Sequence, residues 1–166
     1  MKKSLLRALS ALLLLIAVVF CGCIIVIPDS DSIGESKTFE ADGITLLLTD
    51  RFVEQESEVG FDAYYVSDFC GVMVLKEEFT LKEGLSEKPL SEYIEGVIEN
   101  NGHTNIEPQN KDGLWFYVKD NDDTRIYSYS YKGSDAFFIV QFACYLADIE
   151  ALEDIIHLWA QAVEVE

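Results

Sequence analysis

Positive charge is scarce in this 166-residue chain, which has 12 Lys and Arg against 30 Asp and Glu. Three of the twelve, Lys2, Lys3 and Arg7, precede the first acidic residue, Asp29. The part from Asp29 onward therefore has nine basic and 30 acidic residues, a net charge of −21. Such a surface repels nucleic acid and anionic lipid, so we exclude a nucleic-acid partner. Solubility is the simplest role of this charge, and attraction of cations or basic partners is the alternative.

Residues that commonly carry chemistry are also few, with two His and four Cys in the whole chain. The sequence has no Gly-x-Ser-x-Gly elbow, no phosphate-binding glycine loop, no His-Glu-x-x-His and no Cys-x-x-Cys pair. We place His103 in a loop and His157 on the solvated face of the last helix, near Asp154. The sequence therefore predicts no catalytic residue and no cofactor.

One acidic stretch, Asp120-Asn121-Asp122-Asp123, invites comparison with a calcium loop. An EF-hand counted from Asp120 needs Gly at its sixth position and Glu at its twelfth, where this chain has Arg125 and Tyr131. The stretch is typical of a hairpin turn, and we predict no metal site.

The chain is rich in apolar residues at its N-terminus, where Ala8 to Ile27 follow a basic start. This layout is typical of an export signal, so we assign 1–27 to a signal peptide or membrane anchor. A polar linker (28–36) and a single domain (37–166) follow. The basic end stays in the cytoplasm, which places the acidic domain on the outer face of the membrane.

The segment Phe20-Cys21-Gly22-Cys23 resembles a bacterial lipobox. Since Gly22 is the small residue that must precede the modified cysteine, we predict lipid attachment, such as palmitate, at Cys23. An uncleaved helix from Ala8 to Ile27 is long enough to span a bilayer and is an alternative anchor. Free secretion is the third alternative.

Within the domain, strand patterns alternate with helix patterns. Asp42-Gly43 between apolar runs predicts a hairpin, and Ala136–Tyr145, apolar on both faces, predicts a central strand. Helical spacing predicts a helix over Pro89–Asn100 with Ser86 as a candidate N-cap, and a final helix capped by Asp148. We therefore predict an α+β fold, an antiparallel sheet of about six strands with helices packed on it.

Aromatic residues alternate on two strands expected to form a hairpin around 120–123. Pairing Asp120 with Asp123 sets Phe116 opposite Tyr127 and Leu114 opposite Tyr129. Tyr127, Tyr129 and Tyr131 then share one face under a helix, and Trp115 and Tyr117 share the other. These five residues are a candidate binding surface, and burial in the core is the alternative.

Several stretches resemble an uncharacterised family of exported lipoproteins from clostridia and related Bacillota. They are Phe39–Phe52, Leu90–Gly102, Asp112–Val118, Tyr131–Cys144 and the terminal pattern with Trp159. The order of elements is also similar to the Mog1/PsbP-like fold, an α/β/α sandwich. That resemblance implies a group made up mainly of binding and assembly modules.

Cys70 begins one predicted strand and Cys144 ends another, so a disulfide between them requires those ends to be adjacent. Two buried free thiols, or one reactive thiol, are the alternatives.

Three functions remain open for the domain. The first is a non-enzymatic, membrane-anchored module that binds or assembles an envelope protein or ligand. The second is an envelope-acting hydrolase with Asp62, Asp68 and Glu77 in a cleft. The third is a small-ligand-binding lipoprotein that uses the Tyr/Trp face.

Overall fold

The computed structural model of this protein describes residues 33–56 and 60–166. Within them the chain forms ten strands and two α-helices, joined by short 3₁₀ turns. The elements are β1 (Ser36–Ala41), β2 (Ile44–Thr49), β3 (Val53–Gln55), β4 (Ala63–Val66), β5 (Cys70–Glu78), α1 (Leu90–Asn100), β6 (Gln109–Lys111), β7 (Leu114–Asp120), β8 (Thr124–Lys132), β9 (Ala136–Tyr145), α2 (Ile149–Gln161) and β10 (Glu164–Val165).

Seven strands form one antiparallel sheet in the order β3-β4-β5-β9-β8-β7-β6. Strand β9 is central and pairs along most of its length with β5 on one side and β8 on the other. Phe137 faces one side of the sheet, Phe138 and Val140 face the other, and all three are fully buried. The prediction of a central strand covered on both sides is therefore confirmed.

The first predicted hairpin forms, but it leaves the main sheet. β1 and β2 turn at Asp42-Gly43, where Gly43 has a φ of 76°, and β10 joins β2 to complete a separate three-stranded sheet. Leu46 and Leu48 on β2 are buried in the main core, which holds the small sheet against the large one. The sequence predicted one sheet of about six strands, and the structure instead has two sheets, of seven and three strands.

Each face of the large sheet carries a helix. The small sheet and α2 cover one face, where Trp159 packs edge-on against Phe52 with ring centroids 5.4 Å apart. On the other face α1 stacks Tyr93 on Phe137 at 3.9 Å. The predicted α+β sandwich is confirmed.

The start of α1 corrects the expected capping. Ser86 lies in a 3₁₀ turn, Leu85–Glu87, and α1 begins after Pro89, whose side chain makes no cap. A residue that precedes proline avoids the helical region, and Lys88 accordingly has a ψ of 133°. Ser86 therefore cannot cap this helix. Asp148 does occupy the N-cap position of α2, without a side-chain hydrogen bond to the helix.

The packed domain extends further toward the N-terminus than its predicted start at Lys37. Ile33 is buried in the core, and the backbone amide of Asp50 donates to the carbonyl of Glu35 at 2.7 Å. The predicted signal or anchor (1–27), Cys23 and most of the predicted linker lie outside the described residues. Among the described residues, no helix has the length and apolar character needed to cross a membrane.

Candidate binding pocket

The face of the large sheet under α1 is only partly covered. Its side chains form parallel rows across the strands, because directly paired residues point to the same side. Leu75 and Ile139 lie in one row, Ser128 and Gln141 lie in the next, and Ile126 belongs to a third. Ile94 and Ile98 of α1 cover Tyr117, and a cavity remains beside the end of the helix, over parts of all three rows.

This cavity, which we call the α1 pocket, has a volume of about 390 Å³, within the range of small-ligand sites. Its floor comes from four strands, and its walls come from the end of α1 and the segment before β4. The lining residues are Gly60, Phe61, Leu75, Val97, Asn101, His103, Tyr117, Lys119, Ile126, Ser128, Ile139 and Gln141.

Polar groups converge in the middle of the pocket floor. The Gln141 amide donates to the hydroxyl of the fully buried Ser128 at 3.2 Å. Tyr117 lies opposite Ser128 on the neighbouring strand and is itself buried. The His103 ring faces that of Tyr117 with centroids 5.9 Å apart. Hydroxyl, amide and imidazole groups therefore meet between apolar walls, as in sites that orient a small ligand.

Among residues 33–56 and 60–166, no Asp or Glu lines the pocket, although the chain has 30 acidic residues. Its ionisable groups are the two basic ones, Lys119 and His103, together with the phenol of Tyr117. Partial burial and, to a smaller extent, the nearby Lys119 charge lower the pKa of His103 from its ordinary value. His103 is thus a neutral imidazole at pH 7, and Lys119 supplies the positive charge of the pocket.

The aromatic residues predicted as a binding surface occupy two faces, as expected. Tyr127, Tyr129 and Tyr131 lie with Phe116 under α2, and the Tyr131 hydroxyl donates to the carbonyl of Ala160 at 2.8 Å. These three tyrosines are at most 7% exposed and belong to the core. Trp115 and Tyr117 lie on the α1 face, where only Tyr117 lines the pocket.

The predicted register of β7 and β8 is shifted by two residues. Asp120 pairs with Arg125 rather than Asp123, and Phe116 lies opposite Tyr129 rather than Tyr127. The wider turn is closed by a hydrogen bond from the amide of Asn121 to the carbonyl of Thr124. A shift of two preserves the side-chain faces, which is why the face assignment remained correct.

His157 is not the solvated residue that the helix pattern indicated. It is 8% exposed, and its Nδ1 lies 3.3 Å from the Tyr129 hydroxyl. Its Nε2 lies 3.3 Å from a carboxylate oxygen of Asp112, not of Asp154. Asp112 reaches it from the Asp112-Gly113 turn between β6 and β7, where both residues have positive φ. His157, at the edge of the apolar stripe of α2, is therefore buried by a strand residue and a turn residue that are distant in sequence.

Cys70 and Cys144 are directly opposed on β5 and β9, so the predicted strand ends are adjacent. Both side chains are buried and both are free thiols in this structure. Burial, with a smaller contribution from the neighbouring Cys144 thiol, raises the pKa of Cys70. A thiol that resists ionisation is a poor nucleophile, which disfavours the reactive-thiol alternative.

Asp62 and Asp68, two of the candidate acids of the hydrolase hypothesis, do not share a cleft. Asp68 pairs with Arg51 at the turn before β5. Asp62 accepts a hydrogen bond from the backbone amide of Lys76. Lys76 is six residues after Cys70, the first residue of β5, so Asp62 lies about 20 Å along the strand from the turn that holds Asp68. Within 33–56 and 60–166 no three His, Cys, Asp or Glu residues are grouped to hold a metal ion.

Asp120, in the stretch compared with a calcium loop, is bound by Arg125 at 2.6 and 2.8 Å. The Arg125 guanidinium lowers the pKa of the Asp120 carboxyl.

Sequence reasoning missed most of the pocket: Ser128, Gln141, Lys119 and His103 were not proposed as a site. Each lies on a different element, and no local spacing connects them. A usable signal was the polar Gln141 inside the apolar run of β9, since a polar residue in a central strand requires a partner.

No family model matches the chain, and no curated protein matches it. Two solved structures are similar in fold. The solution structure of cyanobacterial PsbP (CyanoP) from Synechocystis sp. PCC 6803 is 12% identical and aligns 89% of this chain with 99% of that one at a TM-score of 0.55. The crystal structure of the Saccharomyces cerevisiae Ran-binding protein Mog1p is 15% identical and aligns 80% with 96% at 0.52. The fold is therefore Mog1/PsbP-like, and identities this low establish the fold alone.

Proposed function

We propose that this protein is a non-enzymatic binding module at the outer face of a bacterial cytoplasmic membrane, and that the α1 pocket is its binding site. The observation that carries this proposal is the pocket lining. A concave site with apolar walls and converging polar groups is the usual form of a ligand site. That the described lining residues include no carboxylate within so acidic a domain argues against an accidental gap in packing.

The arrangement of the polar groups favours binding over catalysis. Serine needs a neighbouring base to act as a nucleophile, whereas Ser128 accepts a hydrogen bond from the amide of Gln141 and the His103 imidazole faces the Tyr117 ring. An amide cannot take up a proton at neutral pH. The buried Cys70 and Cys144 lie on the opposite sheet face, away from the pocket.

Two further arguments support this assignment. The N-terminal segment and the stretches from Phe39 to Trp159 resemble exported lipoproteins, which favours an anchored extracytoplasmic domain. One structural neighbour is named a Ran-binding protein, so this fold serves recognition at least once. A Ran partner is not carried over, because the likeness covers the fold only.

The proposal is tested by fragment screening on the full chain held in zwitterionic lipid nanodiscs. Isoleucine methyl groups report by NMR: Ile126 and Ile139 line the pocket, and Ile156 lies in the core on the opposite face. We expect binders to shift Ile126 and Ile139 while Ile156 stays unchanged. A library that leaves both pocket signals unmoved would contradict the assignment.

A blocking variant makes the test sharper. Gln141→Trp places a large ring in the pocket, and Tyr145→Trp adds an indole to the same strand at an exposed position outside the lining. Binding should be lost only in Gln141→Trp, with both variants keeping the parent methyl spectrum elsewhere. Equal binding to the two variants would place the site elsewhere.

A further inference from the structure

The α1 pocket has an apolar end and a cationic end. Leu75 and Ile139 form the apolar row, the row of Tyr117 and Ser128 follows, and Lys119 lies in the third row. Adjacent rows are two residues apart along a strand, so about 13 Å separates the outer rows. The side chains of Lys119, Leu75 and Ile139 take up part of that distance, so a ligand held between them needs only a short apolar body and one polar end.

Lys119 has no carboxylate partner among residues 33–56 and 60–166, although it is half-buried. Two other cations of the domain, Lys76 and Arg125, are neutralised by carboxylates. Lys76 lies 3.0 Å from a carboxylate oxygen of Asp42, and Arg125 binds both carboxylate oxygens of Asp120. A cation at the edge of an apolar cavity with no neighbouring carboxylate attracts an anionic ligand.

The end of α1 does not need Lys119 as a cap. The Asn101 side-chain amide donates to the carbonyl of Val97 at 2.8 Å, and the backbone amides of Gly102 and His103 donate to Glu99 and Ile98. These bonds satisfy the terminal carbonyls that a lysine would otherwise cover. The Lys119 ammonium is therefore left for another partner.

The positive charge of the pocket indicates how much negative charge its ligand carries. The pocket supplies one full positive charge, because His103 is neutral at pH 7. One charge balances a monoanion, and the surrounding net charge of −21 opposes a dianion such as a phosphate monoester. The neutral imidazole of His103, which lies near enough to Lys119 to feel its charge, can donate a hydrogen bond to a carboxylate oxygen beside Lys119.

We propose that the α1 pocket binds a monocarboxylate with a short apolar body, its carboxylate beside Lys119 and its body against Leu75 and Ile139. This inference rests on the proposed function, since it names the ligand class of the same pocket.

Three water-soluble probes with the same number of carbon atoms test the charge preference: pentanoate, pentanamide and pentylamine. Each is titrated against the isoleucine-labelled full chain in zwitterionic nanodiscs, with empty nanodiscs correcting for partition into lipid. Pentanoate should shift Ile126 and Ile139 at about one tenth of the concentration that pentanamide requires, the factor expected for one charge-assisted hydrogen bond. Pentylamine should bind more weakly than either.

Lys119→Met removes the charge and keeps the length of the side chain. Its matched control is Lys82→Met, which makes the same charge change at an exposed loop position. The preference for pentanoate over pentanamide should disappear in Lys119→Met and persist in Lys82→Met. Both variants should keep the parent Ile156 signal, which reports an intact core.

The outcomes separate this inference from the proposed function. Equal binding of pentanoate and pentanamide in the pocket, a preference for pentylamine, or a preference that survives Lys119→Met overturns the carboxylate assignment and leaves the pocket as the binding site. If none of the three probes shifts the pocket signals while library fragments still bind there, the carboxylate assignment is likewise overturned and the pocket remains the binding site. Failure of every fragment at Ile126 and Ile139 overturns both proposals.

Discussion

The sulfur atoms of Cys70 and Cys144 lie 2.7 Å apart, across directly opposed positions of β5 and β9. The backbone amide and carbonyl of Cys70 are engaged by Ser67 on the other side of β5. The cysteine pair therefore occupies a non-hydrogen-bonded position of the ladder, where facing side chains approach most closely. Such a site suits a disulfide, in contrast to a pair that backbone movement must first bring together.

We predict that Cys70 and Cys144 are joined when the protein is isolated from an oxidising compartment. The two thiols lose two protons and two electrons to an oxidised dithiol partner. Alkylation after unfolding without reductant, followed by mass spectrometry, should find both cysteines unlabelled, whereas prior reduction should label both. Full labelling without reductant would show two free thiols. Reducing the bridge, which spans 74 residues, should cost roughly 2–4 kcal/mol of stability.

Trp159→Ala should destabilise the domain by about 3–5 kcal/mol, because it removes an indole packed between Phe52, Phe69 and Phe142. Urea denaturation measures the change. Glu150→Ala, an exposed substitution on the same helix, is the control and should stay within about 0.5 kcal/mol of the parent. Equal, small effects of the two variants would mean that α2 does not pack as described.

His157→Ala should cost about 1–3 kcal/mol, since it leaves the buried Tyr129 hydroxyl without a partner. Asp154→Ala, at an exposed position of the same helix, should have little effect. The cost of His157→Ala should fall in a Tyr129→Phe background, which a double-mutant cycle measures. Strict additivity would show that the two residues are not coupled.

The Asp120–Arg125 pair should make the free energy of unfolding fall at low pH. Arg125 lowers the folded-state pKa of Asp120, so the stabilisation is fully present above the unfolded pKa of about 3.9 and is lost as pH falls through the folded value. Asp120→Asn should therefore be less stable than the parent at pH 6, and the difference should disappear in strong acid. Because the pair is largely exposed, the difference should not exceed about 1 kcal/mol. Denaturation at several pH values measures the difference in free energy of unfolding between the parent and Asp120→Asn. A difference that stayed the same or grew in acid would contradict this prediction.

Lipid attachment at Cys23 is tested by metabolic labelling with palmitate in a bacterial host. Cys23→Ala should abolish the label and Cys21→Ala should retain it, because only Cys23 follows a small residue. Label on the Cys23 variant would refute the lipobox assignment. Membrane retention without label in the parent chain would favour the uncleaved helix.

The sequence by itself determined the elements that rest on local patterns. Apolar residues at helical spacing in Leu90–Asn100 and Ile149–Gln161 specified two helices, and the two-faced apolar run of β9 specified a central strand. The alternation along β7 and β8 assigned each aromatic to its face even though the register was shifted by two, since side-chain direction repeats every two residues.

Tertiary structure decided what depends on distant contacts. Leu46 and Leu48 of β2 pack in the main core, so the first hairpin lies against the large sheet and is not part of it. Tyr129 and Asp112, both distant in sequence from α2, bury His157. The α1 pocket lies beside the last turn of an 11-residue helix that covers Tyr117 and leaves Ser128, Gln141 and Ile126 as cavity lining. Local periodicity records which side of an element is apolar, but how far one element extends over another follows only from the packing of the whole chain.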